Sequence, residues 1–357
     1  MIVVAGEALI DLVPSPQTPS LDGQLPGLLP RRGGGPYNTA VALGRLGSPT
    51  AFCSRVSTDS FGEALLNGLR SGGVDTSLVQ RGTEPTTLAV ADISPDGSAG
   101  YGFYADGTAD RLFTLPPELP ATARALSLGT CSLVLEPGAS AYESLLRREA
   151  ARGVFTALDP NVRPGLIPDA EAYRARFRSW LPHVALLKLS EEDALWLAGP
   201  AATAAGGSAA GTGADAAGDG AAGGGVTGAG TGGDATGGGT GGGRAAVLAV
   251  AREWLAAGPA AIVLTHGGAG LTVLTRGGGE LTVPGERVTV VDTIGAGDTV
   301  NAALLHRLDA HDALSYAALT ALGDKDWEDI LRFAARAAAI TCSRAGAEPP
   351  YATELVA

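Results

Sequence analysis

The sequence predicts an α/β fold in which helices cover a mostly parallel β-sheet and a small second β-element is set on that sheet. Short apolar runs alternate with stretches of helical spacing, and one pair of hairpin-like runs interrupts this alternation. Repeats of strand, helix and strand form parallel sheets, because a helix is the usual crossover between parallel neighbours. At 357 residues the chain is long enough for one large domain or two smaller ones.

Six apolar runs rich in β-branched residues predict buried strands: 2–6, 51–56, 125–130, 154–159, 184–189 and 261–267. Apolar residues at helical spacing occupy the stretches 36–46, 61–70, 140–151, 170–180, 190–198 and 245–256. The runs 86–94 and 101–106 predict a hairpin that forms a small β flap on the main sheet. A second hairpin with glycine-rich turn chemistry is predicted at 271–284. The run 288–292 predicts a further strand, followed by a helix at 297–308.

Residues 201–243 consist almost wholly of Gly, Ala, Thr, Ser and Asp. A segment with so little apolar surface cannot offset its chain entropy, so we expect a flexible loop. A tolerated surface insertion between two helices is favoured over a regulatory or partner-binding tail.

Charge and cysteine content narrow the class of protein. The net charge of −12 repels a long polyanion, which argues against a nucleic-acid partner. The three cysteines lie far apart without a CxxC pair, which indicates free thiols in a reducing cytosol. The first apolar run has no basic region before it and contains Glu7 and Asp11, so it is neither a signal peptide nor a membrane span. We therefore expect a soluble cytoplasmic protein with no membrane partner.

The stretch "TIGAG" (293–297) places small residues between the predicted strand at 288–292 and the helix that follows. Their N–H groups can point into one cavity at a helix N-terminus, a site that suits a phosphate. Asp298 is either an N-cap or, if a phosphoryl group binds there, the base that takes the proton from an attacking hydroxyl.

Two motifs resemble the signatures of one family. "DTIGAGD" (292–298) resembles the C-terminal signature of the ribokinase-like (PfkB) sugar kinases, and "GGGPYNTAVALGRLG" (33–47) is similar to their N-terminal signature. The resemblance covers the chain outside the glycine-rich insertion and favours a fructokinase-like member. It implies a three-layer α/β/α ribokinase-like fold with ATP and Mg²⁺ as cofactors, and it leaves open a K⁺ requirement, which some relatives place near Asp292. It also implies Asp298 as general base and an anion hole formed by the amides of Gly295, Ala296 and Gly297.

The resemblance further implies sugar contacts from Asp11, Gly34, Gly35, Asn38, Tyr104, Glu136 and Arg163. Taken alone, several of these residues have simpler interpretations. Asn38 could begin a helix, Asp11 and Glu136 could be surface acids, and Tyr104 could be an aromatic of the flap core. The glycines would let a sugar approach the backbone closely.

On the nucleotide side the resemblance implies contacts from Ser190, Thr265, Gly267, Gly270 and Gly297. Asp193 stands where the family commonly has Glu, so its contact with the metal would be weak and made through water. We expect Mg²⁺ to be held mainly by the ATP phosphates and water.

The flap corresponds to the family's lid, formed here by about 11–32 and 84–110, which closes over the sugar and excludes water. Lid strands with free edges often pair between subunits, so we expect a homodimer.

The charge of the predicted lid narrows the class of sugar that the protein could bind. From Glu84 to Asp110 there is no Lys or Arg, and Ala105 stands where 2-keto-3-deoxygluconate kinases commonly have Arg. This favours a neutral hexose over acidic or phosphorylated sugars, and the stretches "DPNVRP" and "SRAGAEPP" favour fructose. A 2-keto-3-deoxygluconate kinase, a ribokinase and a non-catalytic sugar-binding regulatory protein remain alternatives. No GxGxxG follows the first strand, which argues against a dinucleotide-dependent oxidoreductase.

Overall fold

The computed structural model describes residues 1–15, 27–93, 99–200 and 241–355. Within these residues thirteen strands form, in two sheets. They are β1 Ile2–Ala5, β2 Leu9–Pro14, β3 Leu28–Gly33, β4 Thr50–Ser57, β5 Val79–Gly82, β6 Leu88–Ile93, β7 Ala99–Tyr104, β8 Ala125–Gly129, β9 Phe155–Asp159, β10 Leu186–Ser190, β11 Ala261–Thr265, β12 Leu271–Thr275 and β13 Glu280–Val283.

The described residues also form nine α-helices. They are α1 Gly35–Arg45, α2 Ser60–Ser71, α3 Gly138–Ala151, α4 Ala170–Trp180, α5 Glu191–Ala198, α6 Gly241–Ala257, α7 Ala296–Ala310, α8 Tyr316–Ala321 and α9 Asp324–Cys342.

The larger sheet has nine strands in the order β13-β12-β11-β10-β9-β8-β1-β4-β5. The strands from β5 to β11 run parallel, and only the pairings of β12 with β11 and β13 are antiparallel. The central strands are buried on both faces, as expected for a parallel sheet that is covered by helices.

Two hydrophobic cores show that the sheet is the middle of three layers. Side chains of successive residues in β1 point to opposite faces, so Ile2 and Val4 join one core while Val3 and Ala5 join the other. Helices α1, α2, α7 and α9 cover the first face, and α3, α4, α5 and α6 cover the second. The predicted three-layer α/β/α arrangement is therefore confirmed.

The smaller sheet has four strands in the order β3-β2-β6-β7. Strands β2 and β6 are parallel, whereas the two outer pairings are antiparallel. Strands β6 and β7 confirm the predicted hairpin, although the turn that joins them lies outside the described residues. Part of the predicted lid, residues 16–26, and most of the predicted insertion, residues 201–240, also lie outside the described residues.

The predicted elements agree with the structure except at one place. The six predicted strands begin and end within two residues of the observed positions, and the hairpin at 271–284 is formed by β12 and β13. The strand predicted at 288–292 is wrong. Val290 and Val291 are 61% and 60% exposed, and the amides of Val291 and Asp292 donate to the carbonyl of Cys342 at the end of α9. Apolar β-branched residues predicted a strand, but this segment lies at a helix end and not at a sheet edge.

The larger sheet has a point at which its strand order reverses. The chain passes from β1 to β4 on one side, and from β8 to β9 and β10 on the other. The carboxyl ends of β1 and β8 therefore border a crevice, the usual place for a ligand in an open α/β sheet.

Cys53 and Cys131 are buried free thiols, and Cys342 is a half-buried one. Over the ranges the structure covers, no helix combines the length and apolar character that a membrane span requires.

Candidate functional site

Asp298 lies in the first turn of α7, facing the crevice, and is only 8% exposed. Gly295 precedes the helix with a φ of 76°, and a Cβ there would lie 2.6 Å from Cβ of Ala347. The alternative interpretation of Asp298 as an N-cap is wrong, because its side chain caps nothing. Instead, Nδ2 of Asn38 donates a hydrogen bond of 2.8 Å to Oδ2 of Asp298.

The second carboxylate oxygen of Asp298 borders open space. Oδ1 lies 3.1 Å from the position that a Cβ on Gly35 would occupy. The same position is 2.6 Å from Cγ2 of Thr130 and 3.4 Å from Nδ2 of Asn161. These three side chains therefore converge on the bare backbone of Gly35, and a side chain at position 35 would crowd Oδ1 of Asp298.

Burial raises the pKa of Asp298 to about 7, against the opposing effect of the hydrogen bond from Asn38. The negative charge of Asp159 raises this pKa further, while the positive charges of Lys188 and Arg163 lower it. A carboxylate with a pKa near neutrality is basic enough to accept a proton and is still about half ionised in neutral solution.

The turn before Asp298 supplies free backbone donors. Within the described part of the chain, the amides of Gly295 and Gly297 donate no hydrogen bond, whereas the amide of Ala296 donates to the carbonyl of Thr293 at 3.2 Å. The predicted anion hole therefore keeps two of its three amides free, and that of Ala296 is already engaged. The helix N-terminus adds a partial positive charge at the same place.

A buried ion pair lies beneath this turn. Nζ of Lys188 on β10 donates to Oδ2 of Asp159 on β9 at 2.8 Å, and both residues are 4% exposed. Nζ is also 3.1 Å from the position of a Cβ on Gly297, so the ammonium is next to the anion hole. Burial alone would lower the pKa of Lys188, but the carboxylate of Asp159 outweighs it and raises that pKa, so the amine is charged.

Sequence reasoning missed this pair, although a signal was present. Lys188 and Asp159 interrupt the apolar strands "LLKLS" and "FTALD", which are buried throughout their middle positions. An ionisable side chain in a buried strand requires a partner, and two such residues in neighbouring strands predict a pair.

Asp11 and Arg163 face the same space from the second sheet and from the loop after β9. Burial raises the pKa of Asp11 to about 6, and the positive charge of Arg163 opposes this rise. Oδ2 of Asp11 lies 2.0 Å from the position of a Cβ on Gly33, so its carboxylate packs against bare backbone. Nη1 of Arg163 donates to Oδ1 of Asn161 at 2.7 Å.

Two residues with positive φ border the site, Thr130 at 60° and Asn161 at 37°. Such backbone strain in residues other than glycine persists only where the surroundings impose it. The hydroxyl of Thr130 donates to Oε1 of Glu7, and the amide of Ser132 donates to Oε2 at 3.0 Å. Glu7 is 3% exposed and holds the Thr130 loop against Gly35. In the sequence, this role is indicated only by the presence of an acid in an apolar run.

Gly34 allows the chain to turn into α1 beside this site. Its φ is 103°, and a Cβ there would lie 2.8 Å from the backbone oxygen of Glu7. Any other residue at position 34 would therefore be strained and would displace the turn.

The predicted nucleotide contacts gather at the carboxyl ends of the neighbouring strands β10 and β11. Ser190 and Thr265 are paired across these strands. Gly267 has a φ of 54° and Gly270 has a φ of 109°. A Cβ on Gly270 would lie only 2.1 Å from the backbone oxygen of Val283, so no side chain fits there. These glycines keep the turn between β11 and β12 tight and leave its backbone accessible.

Asp193 is engaged within the protein. Its Oδ1 accepts a bond of 2.7 Å from the amide of Val162, and its Oδ2 accepts bonds from the amide and hydroxyl of Ser190. Across the described ranges, no group of three or more His, Cys, Asp or Glu side chains could hold a metal ion. A contact of Asp193 with a metal through water stays a prediction.

Three predicted contacts lie apart from this cluster. Tyr104 is 66% exposed at the end of β7. Glu136 caps the start of α3 through Ser140 and forms an ion pair of 2.9 Å with Arg176. Asp292 accepts hydrogen bonds from the amides of Ile294 and Gly346, which joins the loop before α7 to the loop after α9. Their roles toward sugar or K⁺ stay predictions.

A larger surface cavity of about 330 Å³ lies elsewhere, between α6 and the β12–β13 hairpin. Arg252, Arg276 and Glu280 line it, and it includes none of the predicted site residues. We assign the site to the crevice because the converging polar groups are there.

Comparison with known proteins agrees with this geometry. Residues 1–222 and 235–354 match the pfkB family of carbohydrate kinases. The chain is 36% identical over 327 residues to a fructokinase of Rhizobium leguminosarum bv. trifolii, covering 91% of this chain and 85% of that protein. It is 30% identical over 359 residues to fructokinase-1 of Oryza sativa subsp. japonica, covering 99% and 95%. The structure of a Xylella fastidiosa fructokinase with bound ATP is similar with a TM-score of 0.78 and 26% identity, covering 99% of this chain and 97% of that one.

Proposed function

The chain belongs to the pfkB carbohydrate kinase family, and from this premise we propose that it transfers the γ-phosphoryl group of ATP to fructose. The observation that carries the proposal is the open Oδ1 of Asp298 beside Gly35, with free amides and a charged lysine next to it. Both curated relatives compared above are named fructokinases. The absence of Lys and Arg between Glu84 and Asp110 supports a neutral sugar.

In the proposed reaction a sugar hydroxyl occupies the space beside Gly35. Oδ1 of Asp298 accepts its proton as the hydroxyl oxygen attacks the γ-phosphorus, while Asn38 holds Oδ2 in place. The amides of Gly295 and Gly297 face the phosphoryl oxygens, which carry the charge in the transition state. Asp11, Asn161 and Arg163 supply hydrogen-bonding groups for the remaining sugar hydroxyls.

The donor set fits a metal that arrives with the nucleotide and does not fit a site built from protein carboxylates, because both oxygens of Asp193 are engaged. Mg²⁺ bound to ATP phosphates and water supplies charge neutralisation of the triphosphate. Ser190, Thr265, Gly267 and Gly270 border the region proposed for that triphosphate.

We further propose a cytoplasmic homodimer that forms through the smaller sheet. Strands β3 and β7 are the edges of that sheet, and exposed apolar side chains lie on both, Leu28 at 39% and Tyr104 at 66%. Mass photometry should show twice the mass of one chain, and a charged substitution, Leu28→Lys, should shift the protein to monomer. A wild-type monomer at micromolar concentration would exclude this arrangement.

The substrate is tested with an ADP-release assay over fructose, ribose, adenosine and 2-keto-3-deoxygluconate, with and without K⁺. We expect fructose to give the highest kcat/KM, because the lid segment 84–110 carries no cation for an acidic sugar. A preference for 2-keto-3-deoxygluconate would instead assign the guanidinium of Arg163 to a substrate carboxylate. No sugar-dependent ADP release with any member of the panel would favour a non-catalytic sugar-binding protein.

The substitution Asp298→Asn removes the base but keeps the shape of the side chain. We expect kcat to fall by about 10²–10⁴ while the Kd for fructose and ATP, from calorimetry, changes little. In the wild type, kcat/KM should rise with pH up to about 7 and then level, because the carboxylate is active only when ionised. Asp309→Asn, at the far end of α7, is the matched control. Near-normal turnover in Asp298→Asn contradicts the assignment.

The substitution Gly35→Ala tests the space beside Oδ1. The added Cβ would lie 2.6 Å from Thr130 and 3.1 Å from Asp298, so it occupies the position proposed for the reacting hydroxyl. We expect kcat/KM for fructose to fall by about 10²-fold while ATP binding is retained. Gly277→Ala, where a Cβ meets no atom within 4 Å, is the matched control. Equal activities of the two variants would place the hydroxyl elsewhere.

A further inference from the structure

A small cavity lies beside Asp298 at the point where the strand order of the larger sheet reverses. Polar side chains in its lining include Thr39, Ser127, Asp159, Asp298 and Asn301, and the rest of the lining is mainly apolar side chains and glycine backbone, Gly35 among it. The cavity has a volume of about 10 Å³, close to the minimum that holds one water molecule. Polar side chains in this lining supply the partners that a buried water molecule requires.

Two buried acceptors in this lining lack a donor. Oδ1 of Asp159 and Oδ1 of Asn301 accept no hydrogen bond from any residue that the structure describes. The other polar atom of each side chain is engaged, since Oδ2 of Asp159 accepts from Lys188 and Nδ2 of Asn301 donates to Ser127 at 3.1 Å. Buried acceptors are nearly always satisfied, so both oxygens require a donor from within the cavity.

We propose that Asp159 and Asn301 bind one water molecule in this cavity and that, through it, they act as positioning residues for the carboxyl group of Asp298. A water molecule has two protons, one for each of these two acceptors. Its oxygen then presents lone pairs to the remaining lining, where Asp298 lies. The inference rests on the proposed role of Asp298 as the base.

The arrangement favours the protonated form of Asp298. A water whose protons are directed to Asp159 and Asn301 can accept a hydrogen bond from a carboxylic acid but can donate none to a carboxylate. The negative charge of Asp159 acts in the same direction, while the amide of Asn38 and the charges of Lys188 and Arg163 favour the carboxylate. The water and the charge of Asp159 thus increase the affinity of Asp298 for the proton that it takes from the sugar.

The pH dependence of kcat/KM tests this proposal with two substitutions of opposite sign. Asp159→Asn removes the negative charge that opposes ionisation of Asp298 and leaves Lys188 unpaired. The acidic limb of the kcat/KM profile, where activity rises with pH, should therefore move to lower pH by about one unit. Asn301→Asp adds a negative charge beside the cavity, so the limb should move to higher pH. Asp309→Asn removes the same charge at the far end of α7 and should leave the limb unchanged. Shifts of the same sign in both variants, or none in either, would overturn the proposal.

A high-resolution crystal structure of the unliganded protein tests the water site independently of catalysis. We expect density for one water within about 3 Å of both Oδ1 atoms in the wild type. In Asn301→Leu we expect no water density at this position. The acidic limb of its kcat/KM profile should also lie at a different pH from that of the wild type. Direct donation by a reversed Asn301 amide to Asp159, without water density, would refute the site. Full turnover of Asp298→Asn would remove the catalytic role of Asp298 but leave the water site to be decided by this density.

Discussion

The hydrogen bond from Asn38 to Asp298 joins two segments that are 260 residues apart in the chain. Asn38 lies on α1, which follows the N-terminal glycine motif, and Asp298 lies on α7, which follows the C-terminal glycine turn. The hydroxyl of Thr39 strengthens the same contact by donating to the backbone oxygen of Asp298 at 3.3 Å. Because α1 and α7 pack side by side against one face of the sheet, the bare backbone of Gly35 and the carboxylate of Asp298 share one space.

Three ionisable side chains of the site are buried within the fold. Asp159, Lys188 and Asp298 are all more than nine-tenths buried; they lie at the end of β9, in the middle of β10 and in the first turn of α7, respectively. A buried charge needs a partner, and removing one partner of such a pair leaves the other uncompensated. The ion pair thus stabilises two charges that neither residue could carry alone. It also places an ammonium beside the amides that receive the phosphoryl group in the proposed reaction.

The second sheet contributes to the site through Asp11, which faces Arg163 across the crevice. Strand β2 follows β1 after only three residues, so the second sheet joins the larger one close to Gly6 and Glu7. Glu7 is anchored through Thr130 and Ser132 to the loop after β8. Closure of the second sheet over a sugar stays a prediction.

The sequence by itself determined the α/β class, the boundaries of most elements and the positions of Asp298, Asn38 and the glycines. These follow from local periodicity and from glycine motifs whose backbone requirements are visible in the sequence. It did not determine the conformation of residues 288–292, because a strand forms only where the folded chain offers another strand to pair with. The structure engages Glu136 with Ser140 and Arg176, and its predicted contact with the sugar stays a prediction. Only the tertiary structure paired Lys188 with Asp159 and placed Asp159 and Asn301 in the lining of one cavity, because such contacts depend on which elements lie side by side and not on spacing along the chain.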